Sequence, residues 1–254
     1  MILFTSGCSY TYGEELEDRQ YAWPFVLGKL LNCSVVNRGI CSGSNSYIVR
    51  TTMEFMSRVI SDNISTSDVI VVLGFTTENR KECWSDYYKK YMQTKIGREF
   101  GLVDKSIPRI IPYNIVEGHK SIKKVLDSII DKYLNTFESN EYFNMNSKMI
   151  QMITMHFYLK SMGVKHLFFD SMSNCELKVK DNGTEVVESY ITLKNLFDLV
   201  FINNKHYVSE FTMSKFCNSY PKARQKHPLE EGHEAWAKLL YERAVELGFV
   251  DGQH

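Results

Sequence analysis

The sequence predicts an α/β fold, a three-layer α/β/α sandwich in which helices cover both faces of a central parallel sheet, with a mid-chain insertion. Short apolar runs of strand length alternate along the chain with longer segments of helical periodicity, which favours parallel strands joined by helices. Residues 68–74 form the clearest strand, continuous and mostly β-branched, as expected for a central strand that is apolar on both faces. The 254 residues are enough for a single domain spanning 1–254.

The other elements follow from residue type and spacing. Residues 2–4 are an apolar run that predicts the first strand, and Gly, Cys and Ser at 7–9 predict a tight turn after it. Pro24 suits the first turn of the next helix. In chain order, the pattern then predicts helix 23–31, strand 33–37, loop 38–46, helix 47–60, helices 121–134 and 144–162, strand 164–170 and amphipathic helix 230–247.

Two stretches depart from this alternation of strand and helix. Residues 80–120 are rich in aromatic side chains and contain two prolines, which predicts a partly helical insertion near the mouth of a site. Residues 171–220 predict a second insertion, with a turn at 181–183 and an apolar patch at 196–202.

Composition narrows the range of partners and locations. The 30 basic and 30 acidic side chains cancel, so we expect no general attraction to nucleic acid or to a membrane surface. The six cysteines lack any Cys-x-x-Cys pairing, the first residues lack a leader pattern, and no segment approaches the length of a membrane span. These features predict a reduced, cytoplasmic protein and do not bear on its oligomeric state.

Ser9 lies where a first strand would end. In an open parallel sheet, ligands and reacting groups collect at the carboxyl ends of the strands. Ser9 belongs to the run Gly7-Cys8-Ser9-Tyr10-Thr11-Tyr12-Gly13. This run resembles the first block of the SGNH (GDSL-type) hydrolases, Gly-Asp-Ser followed closely by Thr and Gly, with Cys8 in place of the Asp. The resemblance implies the flavodoxin-like SGNH hydrolase fold, with Ser9 as the nucleophile.

Two further blocks follow in the family's order. Asn37-Arg38-Gly39, with Gly43-Ser44-Asn45 shortly after, is similar to the family's second block. The similarity implies an oxyanion-hole role for the Gly39 amide. Asn45 is a candidate for substrate binding. A plain turn explains this block equally well.

The third block is Gly74-Phe75-Thr76-Thr77, in which Thr76 stands where the family has an Asn that donates to the oxyanion. A hydroxyl can also donate a hydrogen bond. Arg80 follows closely, and it either binds an anionic group of the substrate or forms an ion pair at the surface.

The fourth block is His227-Pro228-Leu229-Glu230-Glu231-Gly232-His233, directly before a helix that carries Trp236. The resemblance implies that His227 is the general base for Ser9, whereas His233 is expected to be structural. The family's orienting Asp, three residues before the His, is Arg224 here. Three outcomes are open: Asp170 or Glu230 substitutes for the Asp, a backbone carbonyl orients the ring of a Ser-His dyad, or the chain binds ligands without hydrolysing them.

The resemblance implies a serine hydrolase that cleaves an O-acyl ester of a carbohydrate or small molecule. No cofactor is expected, and no metal, because His227 and His233 lack a third ligand at recognisable spacing. Two alternatives stay open: a catalytically impaired protein that binds a ligand or glycan, and an O-acyltransferase that uses the same Ser and His. The opening block and the Trp-containing last helix also resemble a variant found in phage and bacterial genomes.

Overall fold

The computed structural model describes residues 1–85, 90–95, 141–177, 184–201 and 205–250. Its main sheet has five strands in the order β2-β1-β3-β6-β7, and every neighbouring pair is parallel. A separate antiparallel hairpin pairs β4 with β5. The strands are β1 Ile2–Gly7, β2 Ser34–Asn37, β3 Val69–Phe75, β4 Arg80–Ser85, β5 Lys90–Lys95, β6 Lys165–Asp170 and β7 Tyr207–Val208.

Helices cover both faces of this sheet, which confirms the predicted three-layer sandwich. Buried residues of α3, α4 and α5 pack on one face, and those of α2 and α7 pack on the other. None of the described helices combines the length and apolar character that a membrane span needs. The helices are α1 Ser9–Tyr12, α2 Trp23–Leu30, α3 Asn45–Ser61, α4 Glu141–Ser161, α5 Glu185–Phe201, α6 Met213–Phe216 and α7 Glu230–Glu246.

Strand β3 shows why the apolar run predicted a central position. Successive side chains of a strand point to opposite faces, and here they alternate between the two cores. Val71 and Leu73 belong to the core beneath α3, α4 and α5, whereas Ile70 and Val72 belong to the core beneath α2 and α7. All seven residues of β3 are buried, so both faces of the strand have to be apolar.

The two stretches that departed from the predicted alternation contain regular structure. The described residues at 80–85 and 90–95 form the β4–β5 hairpin instead of the expected helix. Within 171–220 lie α5, β7 and α6, and β7 extends the main sheet by pairing with β6. A strand of two residues is too short for hydrophobic periodicity to reveal. The predicted helix at 121–134 and the turn at 181–183 lie outside the described residues.

The strand register brings one set of loops together. Gly7 pairs with Gly74, and Phe75 pairs with Asp170, so β1, β3 and β6 end at the same edge of the sheet. The chain moves from β1 to β2 on one side and continues with β3 on the other, which opens a crevice above the end of β1. Ser9 lies at this crevice, directly after β1.

Candidate active site

Ser9 is the first residue of α1, the short helix that leaves β1 through Gly7 and Cys8. The turn is so tight that a Cβ at position 7 would lie 2.1 Å from Oγ1 of Thr11. A glycine is therefore required there, and it allows α1 to fold back over the end of the strand. The Ser9 side chain lies just below the surface, with the residue 7% exposed.

His227 faces Ser9 across the crevice. Its Nε2 lies 2.9 Å from Oγ of Ser9, although 218 positions separate the two residues. A tight turn holds the imidazole, because the N–H of Ala223 donates to the carbonyl of His227 and the N–H of Lys226 donates to the carbonyl of Ala223. The ring of Tyr10 contacts the imidazole edge-on, with 5.3 Å between the ring centroids.

Glu15 lies behind the imidazole and was not anticipated from the sequence. Its Oε2 is 2.8 Å from Nδ1 of His227, and both of its carboxylate oxygens accept from the backbone N–H of Gln225, at 2.9 and 3.0 Å. Glu15 adopts a left-handed backbone conformation, with φ of 68°. For a residue with a Cβ this conformation costs about 1 kcal/mol, so the surrounding contacts hold it in place.

These hydrogen bonds govern the ionisation of Glu15. Desolvation raises the pKa of the carboxyl, but the hydrogen bond to His227 and those from Gln225 outweigh it, so the pKa lies below its usual value. An ionised Glu15 accepts a hydrogen bond from Nδ1–H of His227. That tautomer leaves Nε2 free to accept the hydroxyl proton of Ser9.

The two carboxylates expected to orient His227 do not do so. Ser9 and Glu15 occupy both ring nitrogens of His227, which leaves none for Asp170 or Glu230. Asp170 is fully buried, lies 2.7 Å from Nζ of Lys148 and accepts a hydrogen bond from the hydroxyl of Tyr207. Its charge is thus balanced within the core. Glu230 is the first residue of α7, where a carboxylate interacts favourably with the helix dipole.

Gly39 does not offer the amide expected of it. Its N–H donates to Oδ1 of Asn37 at 2.8 Å, so it is not available to a developing oxyanion. The glycine serves close packing instead, because a Cβ at this position would lie 2.5 Å from the backbone nitrogen of Tyr12 in α1. The second block therefore supports the helix that carries Ser9.

Asn45, expected to bind substrate, has its side chain occupied by the backbone of Thr76. Its Oδ1 accepts from the Thr76 N–H at 2.8 Å, and its Nδ2 donates to the Thr76 carbonyl at 3.3 Å. The side chain of Asn45 thus fastens the start of α3 to the end of β3. Thr76 itself is buried, and its Oγ1 lies 4.0 Å from Sδ of Met172.

Among the described residues, the hydrogen bonds of His233 and Arg80 go to partners other than Ser9 and His227. His233 is fully buried, and its Nδ1 accepts the N–H of Trp23 at 3.2 Å, which joins α7 to the start of α2. Burial lowers the pKa of His233 to about 3, so its imidazole is neutral and packs as part of the core. Arg80 places Nη2 3.3 Å from Sδ of Met172, at the same edge of the sheet as Thr76.

A carboxylate, an imidazole and a serine hydroxyl joined in one series form the arrangement that activates a serine nucleophile in acyl transfer. Only the nearness of Glu15 to Ser9, six positions along the chain, could have pointed to this carboxylate from the sequence. In the described part of the chain, no three His, Cys, Asp or Glu side chains converge in a way that could hold a metal ion.

Comparison of the structure with solved structures finds similar proteins at low sequence identity. A lipolytic protein of the G-D-S-L family from Desulfitobacterium hafniense is 12% identical, with a TM-score of 0.44 over 95% of this chain and 98% of that chain. A G-D-S-L lipolytic protein from Veillonella parvula is 11% identical, with a TM-score of 0.46 and 98% of both chains covered. An acetylxylan esterase from Geobacillus stearothermophilus is 12% identical, with a TM-score of 0.42 over 99% of this chain and 97% of that chain.

Comparison by sequence identifies a family but gives no information about activity. No curated protein matches the chain. A family of unknown function, DUF6071, matches residues 11–250, which include His227, Glu15 and every strand after β1. The chain therefore belongs to this family, DUF6071.

Proposed function

We propose that the protein is a serine hydrolase with an SGNH-like fold that cleaves an O-acyl ester of a carbohydrate or small molecule. The observation that carries the proposal is the hydrogen-bonded series from Glu15 through His227 to Ser9. It also counts against the ligand-binding alternative, which was motivated by the departures at Cys8, Thr76 and Arg224, because it removes the significance of the one at Arg224. Glu15 supplies the missing carboxylate from the other end of the chain.

In the proposed reaction, Nε2 of His227 takes the proton of Ser9 as Oγ attacks the ester carbonyl carbon. Glu15 keeps the imidazole in the required tautomer and stabilises the imidazolium that forms. The imidazolium then gives its proton to the departing alcohol, which leaves an acyl group on Ser9. A water molecule, deprotonated by His227, attacks the acyl carbon and releases the acid while Ser9 regains its proton.

The oxyanion formed in each half-reaction requires hydrogen-bond donors. Since the N–H of Gly39 is occupied by Asn37, we assign the backbone N–H of Ser9 and the hydroxyl of Thr76 to this role. Each donor aimed at the developing charge is worth about 10²-fold in rate or more.

The predicted cytoplasmic location and the expected absence of a nucleic-acid partner remain predictions from the sequence.

The test measures hydrolysis of 4-nitrophenyl acetate and butyrate, together with labelling by a fluorophosphonate probe. Ser9→Ala and His227→Ala should each lower kcat by about 10⁴-fold or more, and labelling should map to Ser9 by mass spectrometry. Ser34→Ala, which removes an exposed serine on β2, is the matched control and should retain activity and labelling. Hydrolysis that survives in Ser9→Ala, or a folded wild type that neither turns over nor labels, would refute the proposal.

A further inference from the structure

Arg80 carries a guanidinium group with unused hydrogen-bonding capacity. It begins β4, just beyond the end of β3. Both Nε and Nη1 are buried and have no hydrogen-bond partner among the residues that the structure describes, and Nη2 lies 3.3 Å from the thioether sulfur of Met172. A thioether is a weak acceptor. Most of the N–H groups of Arg80 are therefore shielded from water without a strong acceptor.

In the described part of the chain, the charge of Arg80 also lacks a close counter-charge. No carboxylate of the described residues lies within 4.0 Å of its guanidinium, whereas the neighbouring Lys148 is paired with Asp170 at 2.7 Å. Arg80, Lys148 and Glu78 line one narrow slot. Glu78 accepts a hydrogen bond from Oγ of Ser173 and makes no ion pair with Arg80. Shielding a cation from water without a paired anion is costly, which favours a ligand that supplies the missing charge.

The slot limits what such a ligand can insert. Its volume is about 10 Å³, close to the space taken by one water molecule. One oxygen of a carboxylate or phosphate fits a space of this size. A water molecule there would satisfy an N–H but would leave the charge uncompensated. The forked N–H groups of arginine match carboxylate and phosphate oxygens better than they match a neutral acceptor.

Arg80 is connected to the proposed reaction centre by short contacts. Sδ of Met172 lies 3.3 Å from Nη2 of Arg80 and 4.0 Å from Oγ1 of Thr76, the hydroxyl assigned to the oxyanion. Met172 thus contacts both the guanidinium and the hydroxyl assigned to the oxyanion.

We infer that Arg80 binds an anionic group carried by the ester, so that the enzyme selects esters bearing a carboxylate or a phosphate. This inference rests on the proposed hydrolase function, because it assigns the substrate class of the same site. The anionic group belongs either to the acyl part of the ester or to its alcohol part, and both possibilities share the same recognition by the guanidinium.

The experiment compares esters of similar size with and without a negative charge. In the first pair, mono-4-nitrophenyl succinate carries a carboxylate on its acyl part and is compared with 4-nitrophenyl butyrate, which is neutral. Two pairs place the charge on the alcohol part. 4-Acetoxybenzoate carries a carboxylate there and is compared with its methyl ester, and 4-acetoxyphenyl phosphate carries a phosphate and is compared with 4-acetoxyanisole. The quantity measured is the ratio of kcat/KM for the charged ester to that for its neutral partner.

We expect the wild type to favour the charged ester about tenfold or more in at least one pair, and Arg80→Met to lower that ratio about tenfold. Arg80→Lys should keep part of the preference, because it retains a positive charge without the fork. Lys29→Met removes an exposed charge from α2 and should leave the ratio unchanged. Circular dichroism and an unfolding curve for each variant show that the comparison is made on folded protein.

The outcomes separate this inference from the proposed function. If the wild type hydrolyses neutral esters through Ser9 but shows no preference in any pair, or keeps its preference in Arg80→Met, the inference is overturned and the hydrolase stands. If Arg80→Met slows charged and neutral esters equally, the guanidinium does not select charge, and the inference is again overturned. Hydrolysis independent of Ser9 would instead defeat the proposed function.

Discussion

Glu15 and His227 lie 212 positions apart in the chain, and their carboxylate oxygen and imidazole nitrogen are separated by 2.8 Å. Glu15 comes from the loop that follows α1, the helix that Ser9 begins, while His227 comes from the turn before α7. The position three residues before His227, occupied by Arg224, therefore has no orienting role in this chain. The segment between β1 and α2 therefore provides both Ser9 and Glu15.

Replacing Glu15 with Gln should lower kcat for ester hydrolysis by about 10² to 10⁴-fold, because the amide no longer stabilises the imidazolium or selects its tautomer. The substitution keeps the size of the side chain, so the free energy of unfolding should change little. Glu17→Gln, in the same loop but exposed, is the matched control and should behave as the wild type. A kcat for Glu15→Gln within about threefold of the wild type would contradict an orienting role for Glu15.

Breaking the buried pair of Lys148 and Asp170 should affect folding and leave the chemistry of His227 in place. Either Lys148→Met or Asp170→Asn leaves one unpaired charge in the core, with a loss of about 3–5 kcal/mol in the free energy of unfolding. The double variant should lose less than the sum of the two single losses, because no uncompensated charge remains.

Urea unfolding of the four proteins tests this coupling, and additive losses would argue against it. At a temperature where Asp170→Asn is folded, its pH–rate profile should retain the wild-type shape, since Asp170 does not contact His227. A shifted profile would indicate that Asp170 does act on the imidazole.

Stability should fall between pH 7 and pH 5 because of buried histidines on the opposite edge of the sheet. Nε2 of His166 lies 2.9 Å from Nδ1 of His156. Burial lowers the pKa of His166 to about 3 and that of His156 to about 4, and the nearby charge of Lys160 acts in the same direction. In the unfolded chain these groups titrate near 6.5, so below that pH the unfolded state binds more protons and is favoured.

Each of the two histidines should contribute a slope of up to about 1.4 kcal/mol per pH unit, with full stability above about pH 6.5. The free energy of unfolding in urea at pH 7.5, 6.0 and 5.0 measures this slope. His156→Phe should reduce the slope by the contribution of one histidine, and this reduction does not depend on how the variant changes stability at pH 7.5. Equal stability at all three pH values would contradict neutral burial of the pair.

Gly39→Ala should disturb the nucleophile although Gly39 offers no free amide. A Cβ at this position would lie 2.5 Å from the nitrogen of Tyr12 and 2.7 Å from the carbonyl carbon of Thr11, both backbone atoms of α1. We expect kcat to fall about tenfold or more and stability to fall by about 1–3 kcal/mol.

Gly163→Ala provides the comparison for the Gly39 variant. Its φ of 68° makes a side chain there cost about 1 kcal/mol, but its Cβ would meet nothing within 4 Å, and it lies after α4, away from Ser9. This variant should lose stability without losing kcat. If both glycine variants retain full kcat, the packing of Gly39 against α1 does not position Ser9.

The sequence alone was enough to predict the layered sheet. Strand β3 is a continuous run of buried apolar residues, and the alternation of strands with helices indicates a parallel sheet because parallel neighbours need long crossover connections, which are usually helical. Ser9 and His227 could be chosen as candidate site residues from the sequence because each lies in a short motif at a predicted element boundary. Local pattern carries such information.

The partners of those residues depend on the tertiary structure. Glu15 meets His227, Gly39 loses its N–H to Asn37, and Asn45 binds the backbone of Thr76, none of which is visible in the residue types themselves. Asp170 ends a predicted strand as expected, yet its position beside Lys148 makes it part of the core. Residue type determines which groups can ionise or donate a hydrogen bond. Contacts between segments up to 218 positions apart decide which group each one meets, because they form only when the sheet brings its loops to one edge.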